Sequence, residues 1–292
     1  MRIFIFGAGY SGKALARRMA GRAAAIIGTT RTTDKFGPLR GAGATPMLFD
    51  GEHLSPEVVS ELARTTHLVV SAAPGDRGDP VLATAREAII ERMPAREWIG
   101  YLSTVGVYGD HEGTWVDEDS ECRPTSRRSI QRVEAERDWM ALGAARGVPV
   151  AVLRLSGIYG PGRNALVNLE NGTARRIIRP GQVFNRIHVG DIAGALEHLG
   201  VNRLGGVYNV TDDLPAPPQD VVEFAASLMG VAPPPEVAYA EAEMTPMARS
   251  FWGENKRVSN KRIRSTGFSF DWPDFRVALN RMWSESSWKR SD

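Results

Sequence analysis

Short runs that are apolar at nearly every position recur at residues 3–6, 24–28, 45–49, 67–71, 98–103 and 150–155. A strand needs such continuous hydrophobicity when both faces of its sheet are covered, and alternating polarity when one face is wet. Between the runs, residues 13–20, 56–64, 80–93 and 130–146 place apolar side chains at helical spacing, and Gly147 follows the last of them as a helix stop. Strand alternating with helix predicts an α/β fold, a doubly wound Rossmann parallel sheet. Beyond residue 160 the pattern loosens around Pro161-Gly162, Pro180-Gly181, the proline-rich stretches 214–218 and 231–235, and a basic run at 256–264. The expected division is therefore a sheet domain over 1–160, to which the segment at about 186–210 returns, and a smaller, irregular lobe over 161–292.

Composition narrows the partners. With 42% hydrophobic and 24% charged residues the chain reads as an ordinary soluble protein. No apolar run reaches the roughly 18 residues of a membrane span. The 36 basic and 34 acidic residues nearly cancel to +2, which argues for a small-molecule ligand over nucleic acid. Cys122 is the one cysteine, so no intramolecular disulfide framework and no cysteine-built metal site can form. With no signal-peptide pattern at the start, the expected location is the cytoplasm.

Gly7-Ala8-Gly9-Tyr10-Ser11-Gly12 lies between the first strand and the first helix, the context in which G-x-G-x-x-G acquires meaning. Gly7 allows the tight turn, Gly9 the approach of a pyrophosphate and Gly12 close helix packing, with the anion facing the helix N-terminus. A purely structural turn is the plainer alternative. The same residues nearly spell a P-loop, but Ala14 stands where such a loop needs a hydroxyl on magnesium. At the end of the second strand come Thr30 and Arg31, where an NAD site would carry an acid. A guanidinium there suits a 2′-phosphate and favours NADP over NAD; a solvated arginine is the alternative. Asp50, read as ending the third strand, is placed to accept from the adenine amino group or to cap its own loop.

Four ordered motifs carry a family resemblance: the glycine turn, Leu102-Ser103-Thr104-Val105-Gly106-Val107-Tyr108-Gly109-Asp110, Arg154-Leu155-Ser156-Gly157-Ile158-Tyr159-Gly160-Pro161-Gly162, and Arg186-Ile187-His188-Val189-Gly190-Asp191. Across nearly its whole length the chain resembles the short-chain dehydrogenase/reductase superfamily, in its extended branch of NAD(P)-dependent epimerases, dehydratases and reductases. The resemblance implies an NADP-dependent oxidoreductase or epimerase acting on a small carbonyl or sugar-nucleotide substrate. It implies that Ala72, Ala73 and Tyr159 join the glycine turn against the cofactor, that Thr104, with Ser103 beside it, polarises the substrate oxygen, and that a homodimer is a common assembly.

One part of the family pattern is absent. Aligning the helix on Glu136 puts Arg128 and Arg132 where the Tyr-x-x-x-Lys dyad belongs, and a guanidinium cannot cycle a proton near neutrality. Three explanations stay open: another acid such as Tyr108 serves, the reaction needs little acid assistance, or the protein binds NADP without turnover, as a sensor or partner of another protein. Other residues have two readings each. His188 and Asp191 could pair across a helical turn or close the substrate lobe. Arg163, Arg186 and the run Lys256-Arg257 with Lys261-Arg262 could hold an anion or form a solvated face. Trp252, Trp272, Trp283 and Trp288 fit core packing or a dimer contact.

Overall fold

The computed structural model describes residues 1–289. Its seven-stranded central sheet comprises β1 (Arg2–Phe6), β2 (Ala25–Thr30), β3 (Thr45–Leu48), β4 (His67–Val70), β5 (Trp98–Thr104), β6 (Val150–Leu155) and β7 (Gly206–Val210), in the order β7-β6-β5-β4-β1-β2-β3. The pairs β1 with β2, β1 with β4, β2 with β3, β4 with β5 and β5 with β6 all run parallel. This is the doubly wound arrangement, and its strand order reverses between β1 and β4. The strands β4 and β6 are buried at every residue, as their unbroken apolar runs require, whereas β3 is a partly exposed edge. Phe4, Phe6, Leu68, Val70, Ile99 and Trp139 anchor the core on one side of the sheet.

Helices α1 (Tyr10–Met19), α2 (Phe36–Gly41), α3 (Pro56–Leu62), α4 (Pro80–Glu91) and α5 (Arg127–Arg146) follow the strands. Side chains cap three of them: Ser55 accepts from the Val58 amide, Asp79 from Val81 and Leu82, and Ser126 from Ser129. Helix α5 ends at Gly147 in the left-handed region, φ 62°. Helix α1 alone among these five α-helices begins on a glycine, Gly9, and its first turn holds no acid.

The chain divides into two compact units, Met1–Val107 with Pro124–Leu155 and Ile192–Tyr208, and Tyr108–Arg123 with Ser156–Asp191 and Asn209–Asp292. The second unit contains two-stranded parallel ribbons, among them Gly157–Tyr159 with Arg186–His188, and a core of Tyr159, Leu166, Ala225, Phe275, Leu279 and Trp288.

Several boundaries differ from the sequence reading. Strand β2 runs on to Thr30, and β3 stops at Leu48, so Asp50 lies in the loop beyond it. Helix α5 starts three residues before 130, at the Ser126 cap. Helix α2 and the edge strand β7 are additional. Helix Val189–Val201 begins after His188. Among the described residues no helix is long and apolar enough to cross a membrane, and no three His, Cys, Asp or Glu side chains gather as a metal site.

Candidate active site

The glycine turn lies at the carboxyl end of β1, beside the position where strand order reverses. Its shape is fixed by β2, because Thr29 accepts from the Gly7 amide through Oγ1 at 2.9 Å and from the Ala8 amide through its carbonyl at 2.8 Å. The three glycines are required for different reasons. Gly7 has φ +76°, and a Cβ there would stand 2.9 Å from the Ala72 amide nitrogen just beyond β4. A Cβ on Gly12 would press on Ile5 at 3.2 Å and Ala8 at 3.3 Å, so this position keeps α1 close to the sheet. A Cβ on Gly9 would meet only the Gly7 carbonyl, at 3.9 Å. Protein packing therefore accounts for Gly7 and Gly12 and leaves Gly9 unexplained.

That remainder, at the start of an uncapped helix, fits a group that must come close to the backbone. First-turn amides carry partial positive charge and favour an anion. Tyr10 and Ser11 lie in that first turn, Ser11 buried at 6% exposure. Ala72 and Ala73 follow β4, Ala72 half-buried and directly against Gly7, Ala73 exposed. At the end of β2, Thr30 is half-buried and Arg31 exposed; among the described residues Arg31 has no ion pair or hydrogen bond. Asp50 is engaged locally. Its carboxylate accepts from the Glu52 and His53 amides at 2.7 and 2.8 Å and pairs with the His53 ring at 2.9 Å. The hydrogen bond from His53 is the main cause that holds its carboxyl below the usual range.

The strand β5 ends in the two neighbouring hydroxyls. Ser103 is buried and donates to Glu136 Oε1. Glu136 in turn receives the Arg154 guanidinium, Nη2 to Oε2 at 2.8 Å and Nε to Oε2 at 3.2 Å. Ser103 thus belongs to a structural network joining β5, α5 and β6. Thr104 is half-buried, and its Oγ1 accepts from the Gly106 amide at 3.1 Å; no described residue accepts its proton. Of the pair, Thr104 is the one that can donate to a ligand oxygen.

Arg128, Arg132 and Glu136 follow one another at four-residue steps along a face of α5. Arg128 is exposed. Arg132 Nη1 donates to the Leu102 carbonyl at 2.8 Å and to the Tyr101 hydroxyl at 3.0 Å, while its guanidinium lies over the Tyr101 ring. Burial pushes the Tyr101 phenol up. Neither arginine supplies an exchangeable proton.

Tyr108, the expected acid, sits in the second unit at 0% exposure and donates to Asn209 Oδ1 at 2.7 Å. Its hydroxyl proton is therefore already held inside the fold. Tyr159 ends a ribbon strand with its ring edge-on to His188 at 5.4 Å. His188 and Asp191 have separate partners. The His188 ring stacks on Trp272 at 4.0 Å, and Asp191 accepts from the Asp271 and Trp272 amides at 2.9 and 3.0 Å. Burial and Arg281 push His188 down to about 3. The basic run is not a uniform solvated face, because Lys256 is buried and donates to the Gly109 carbonyl at 2.6 Å, while Arg262 pairs with Asp119 at 2.6 Å. Trp252 and Trp288 are buried in the cores of the second unit.

The Glu136 network and the buried Asn209 and Asp212 had no local motif to reveal them. Each depends on residues distant in sequence that only the folded chain joins.

Comparison with known proteins agrees with this geometry. The profile of the NAD dependent epimerase/dehydratase family matches residues 3–210. Protein YeeZ of Escherichia coli K12 is 27% identical over 302 residues, covering 94% of this chain and 97% of its own. The structure of a functionally unknown conserved protein from Silicibacter pomeroyi DSS is 45% identical, with a TM-score of 0.88 over 98% of this chain and 99% of that one. Human epimerase family protein SDR39U1 isoform 2, solved with NADPH, shares the fold at 20% identity and a TM-score of 0.73, covering 97% and 99% of the two chains.

Proposed function

The chain belongs to the NAD dependent epimerase/dehydratase family, and from that premise we propose that it binds NADP in preference to NAD and acts as an oxidoreductase or epimerase on a small carbonyl or sugar-nucleotide substrate. The observation that carries the binding half is Gly9, whose missing side chain no protein neighbour demands, at the head of a helix without a side-chain cap. Residues Gly7 to Gly12 would hold the diphosphate by backbone donors. Thr30 and Arg31 would hold a 2′-phosphate, for which an exposed guanidinium with no ion pair among the described residues is suited. Ala72 and Ala73 would wall the turn, and Asp50 would keep the loop beyond β3 in shape beside the adenine. The NADPH of the human protein is a ligand of this kind.

When bound, a nicotinamide supplies hydride exchange. The chain's own contribution would be Thr104, which can donate to the developing oxyanion. Three candidates to replace the family dyad are engaged elsewhere: Arg132 is fixed on a strand carbonyl, Ser103 is committed to Glu136, and Tyr108 donates to Asn209. This favours chemistry with little acid assistance, or the second reading, an NADP-binding protein that does not turn over.

Calorimetric titration tests cofactor choice. NADPH is expected to bind roughly tenfold or more tighter than NADH, about 1.4 kcal/mol, and Arg31→Ala to abolish the difference. Equal affinities in the parent would remove the 2′-phosphate assignment. Turnover is tested by incubating the NADPH complex with aldehydes, ketones and nucleotide sugars; oxidation by any of them that Thr104→Val suppresses supports the enzyme, and none by all of them supports the binding protein.

A further inference from the structure

In the second unit, strands Gly157–Tyr159 and Arg186–His188 pair with Gly157 beside Arg186 and Tyr159 beside His188. Residues two apart on a strand share a face, so Arg186, His188 and Tyr159 project to the same side of the ribbon. Asp212 joins them: its amide donates to the Arg186 carbonyl at 2.7 Å, and among charged groups it is the strongest influence on both Arg186 and Tyr159.

The protein leaves this cluster unsatisfied. Tyr159 Oη, His188 Nε2 and Asp212 Oδ2 are buried without a hydrogen-bond partner among the described residues, in side chains belonging to residues 9%, 3% and 1% exposed. Arg186 uses Nη1 on the Phe184 and Ala216 carbonyls at 2.9 and 3.1 Å, and neither Nε nor Nη2 has a partner among the described residues. Arg186 and Asp212 do not close into an ion pair. Buried polar groups are otherwise almost always bonded, and several orphans on one face point to a ligand.

The atoms specify its chemistry. His188 Nδ1 accepts from the Gly190 amide at 3.1 Å, which assigns the ring proton to Nε2 and makes that atom a donor. Donors thus come from Arg186, His188 and Tyr159, and Asp212 Oδ2 is open to a hydroxyl partner. Burial pushes the Asp212 carboxyl well up, which weakens it as a counter-charge for the guanidinium. Of the other acids nearby, Asp191 accepts two amides, Asp213 pairs with Arg264 at 2.5 Å, and Asp274 caps helix Phe275–Ser284, while Asp220 acts on Arg186 by charge without an ion pair among the described residues. One guanidinium among neutral donors matches a monoanion better than a diphosphate, and the partly exposed Arg186 forms its rim.

We propose that Arg186, His188, Tyr159 and Asp212 form a binding site for a small 2-hydroxycarboxylate, its carboxylate taking hydrogen bonds from Arg186, His188 and Tyr159 and its hydroxyl meeting Asp212. In naming this ligand as the substrate, the inference rests on the oxidoreductase reading above; as a binding site it does not.

The test is titration of the full-length protein with lactate and with lactamide, its uncharged analogue, with and without NADPH. Lactate is expected to bind in the millimolar range appropriate to a ligand of about six heavy atoms, and roughly tenfold tighter than lactamide. Arg186→Gln keeps donors but not the charge and is expected to erase that preference while leaving NADPH affinity unchanged. Tyr159→Phe removes one donor, should weaken lactate several-fold, and serves if Arg186→Gln does not fold. Indistinguishable lactate and lactamide, no binding of either, or full lactate affinity in both variants would overturn the site. Lactate binding without NADPH binding would leave this site standing and remove the cofactor reading; the converse would do the reverse.

Discussion

Glu136 holds Ser103 and Arg154 in the interior of the first unit, the acid and the arginine each with a side chain 8% exposed. Removing one charge from a buried pair strands the other, which costs more than the pair itself contributes. Glu136→Gln is therefore expected to lower unfolding stability by about 3 kcal/mol in a denaturant titration; a loss below about 1 kcal/mol would show that Arg154 finds solvent instead. His188 makes a prediction of opposite origin. Its folded pKa is depressed from 6.5 to about 3, so the unfolded chain takes up a proton that the folded chain refuses between those values. The associated stability is present above pH 6.5 and declines as pH falls toward 3. His188→Gln should flatten that decline, and an unchanged slope would mean that His67, also depressed by burial, carries it. At this scale the sequence was partly legible: Gly7, Gly12 and Arg31 stand where spacing placed them. Residue type and sequence neighbours do not reveal that Asn209, 101 positions away, accepts the Tyr108 proton, whereas the capping of its own loop amides by Asp50 is one of the two readings its sequence position supports.

Elements were read better where hydrophobicity was continuous. Strands β4 and β6 are buried throughout, and β1 and β5 at all but one end residue, and they announce themselves, whereas β7 is five residues with a glycine and an asparagine among them and α2 holds Pro38 between two glycines, leaving no periodicity to detect. The turn between β1 and α1 is the element with the clearest separable prediction. Gly7→Ala forces a side chain into a left-handed backbone against Ala72 and should cost about 1–3 kcal/mol of stability before any ligand is considered. Gly12→Ala should cost less, since its backbone is not left-handed and its nearest contacts, at 3.2 and 3.3 Å, are looser than the 2.9 Å at Gly7. A melting series that ranked Gly9→Ala as the most damaging of the three would contradict this division of roles.

For the whole molecule, the strand order fixes the carboxyl edge of the sheet as the place where a dinucleotide would lie. The family is settled by a match over residues 3–210, while the chemistry depends on a few positions where this chain departs from the family. Arg128 and Arg132 were visible in the sequence as a missing dyad. That Arg132 is anchored on Leu102, and that a second polar cluster is assembled from the ribbon strands Gly157–Tyr159 and Arg186–His188 with Asp212, required the fold. The central claim is that the glycine turn holds NADP through a backbone approach which only Gly9 permits. It is tested most directly by titrating NADPH calorimetrically into the parent and Gly9→Ala after confirming that their thermal unfolding coincides. A parent that binds NADPH and a stable Gly9→Ala that loses roughly tenfold or more in affinity is the expected result; equal binding by the two, or none by the parent, would contradict it.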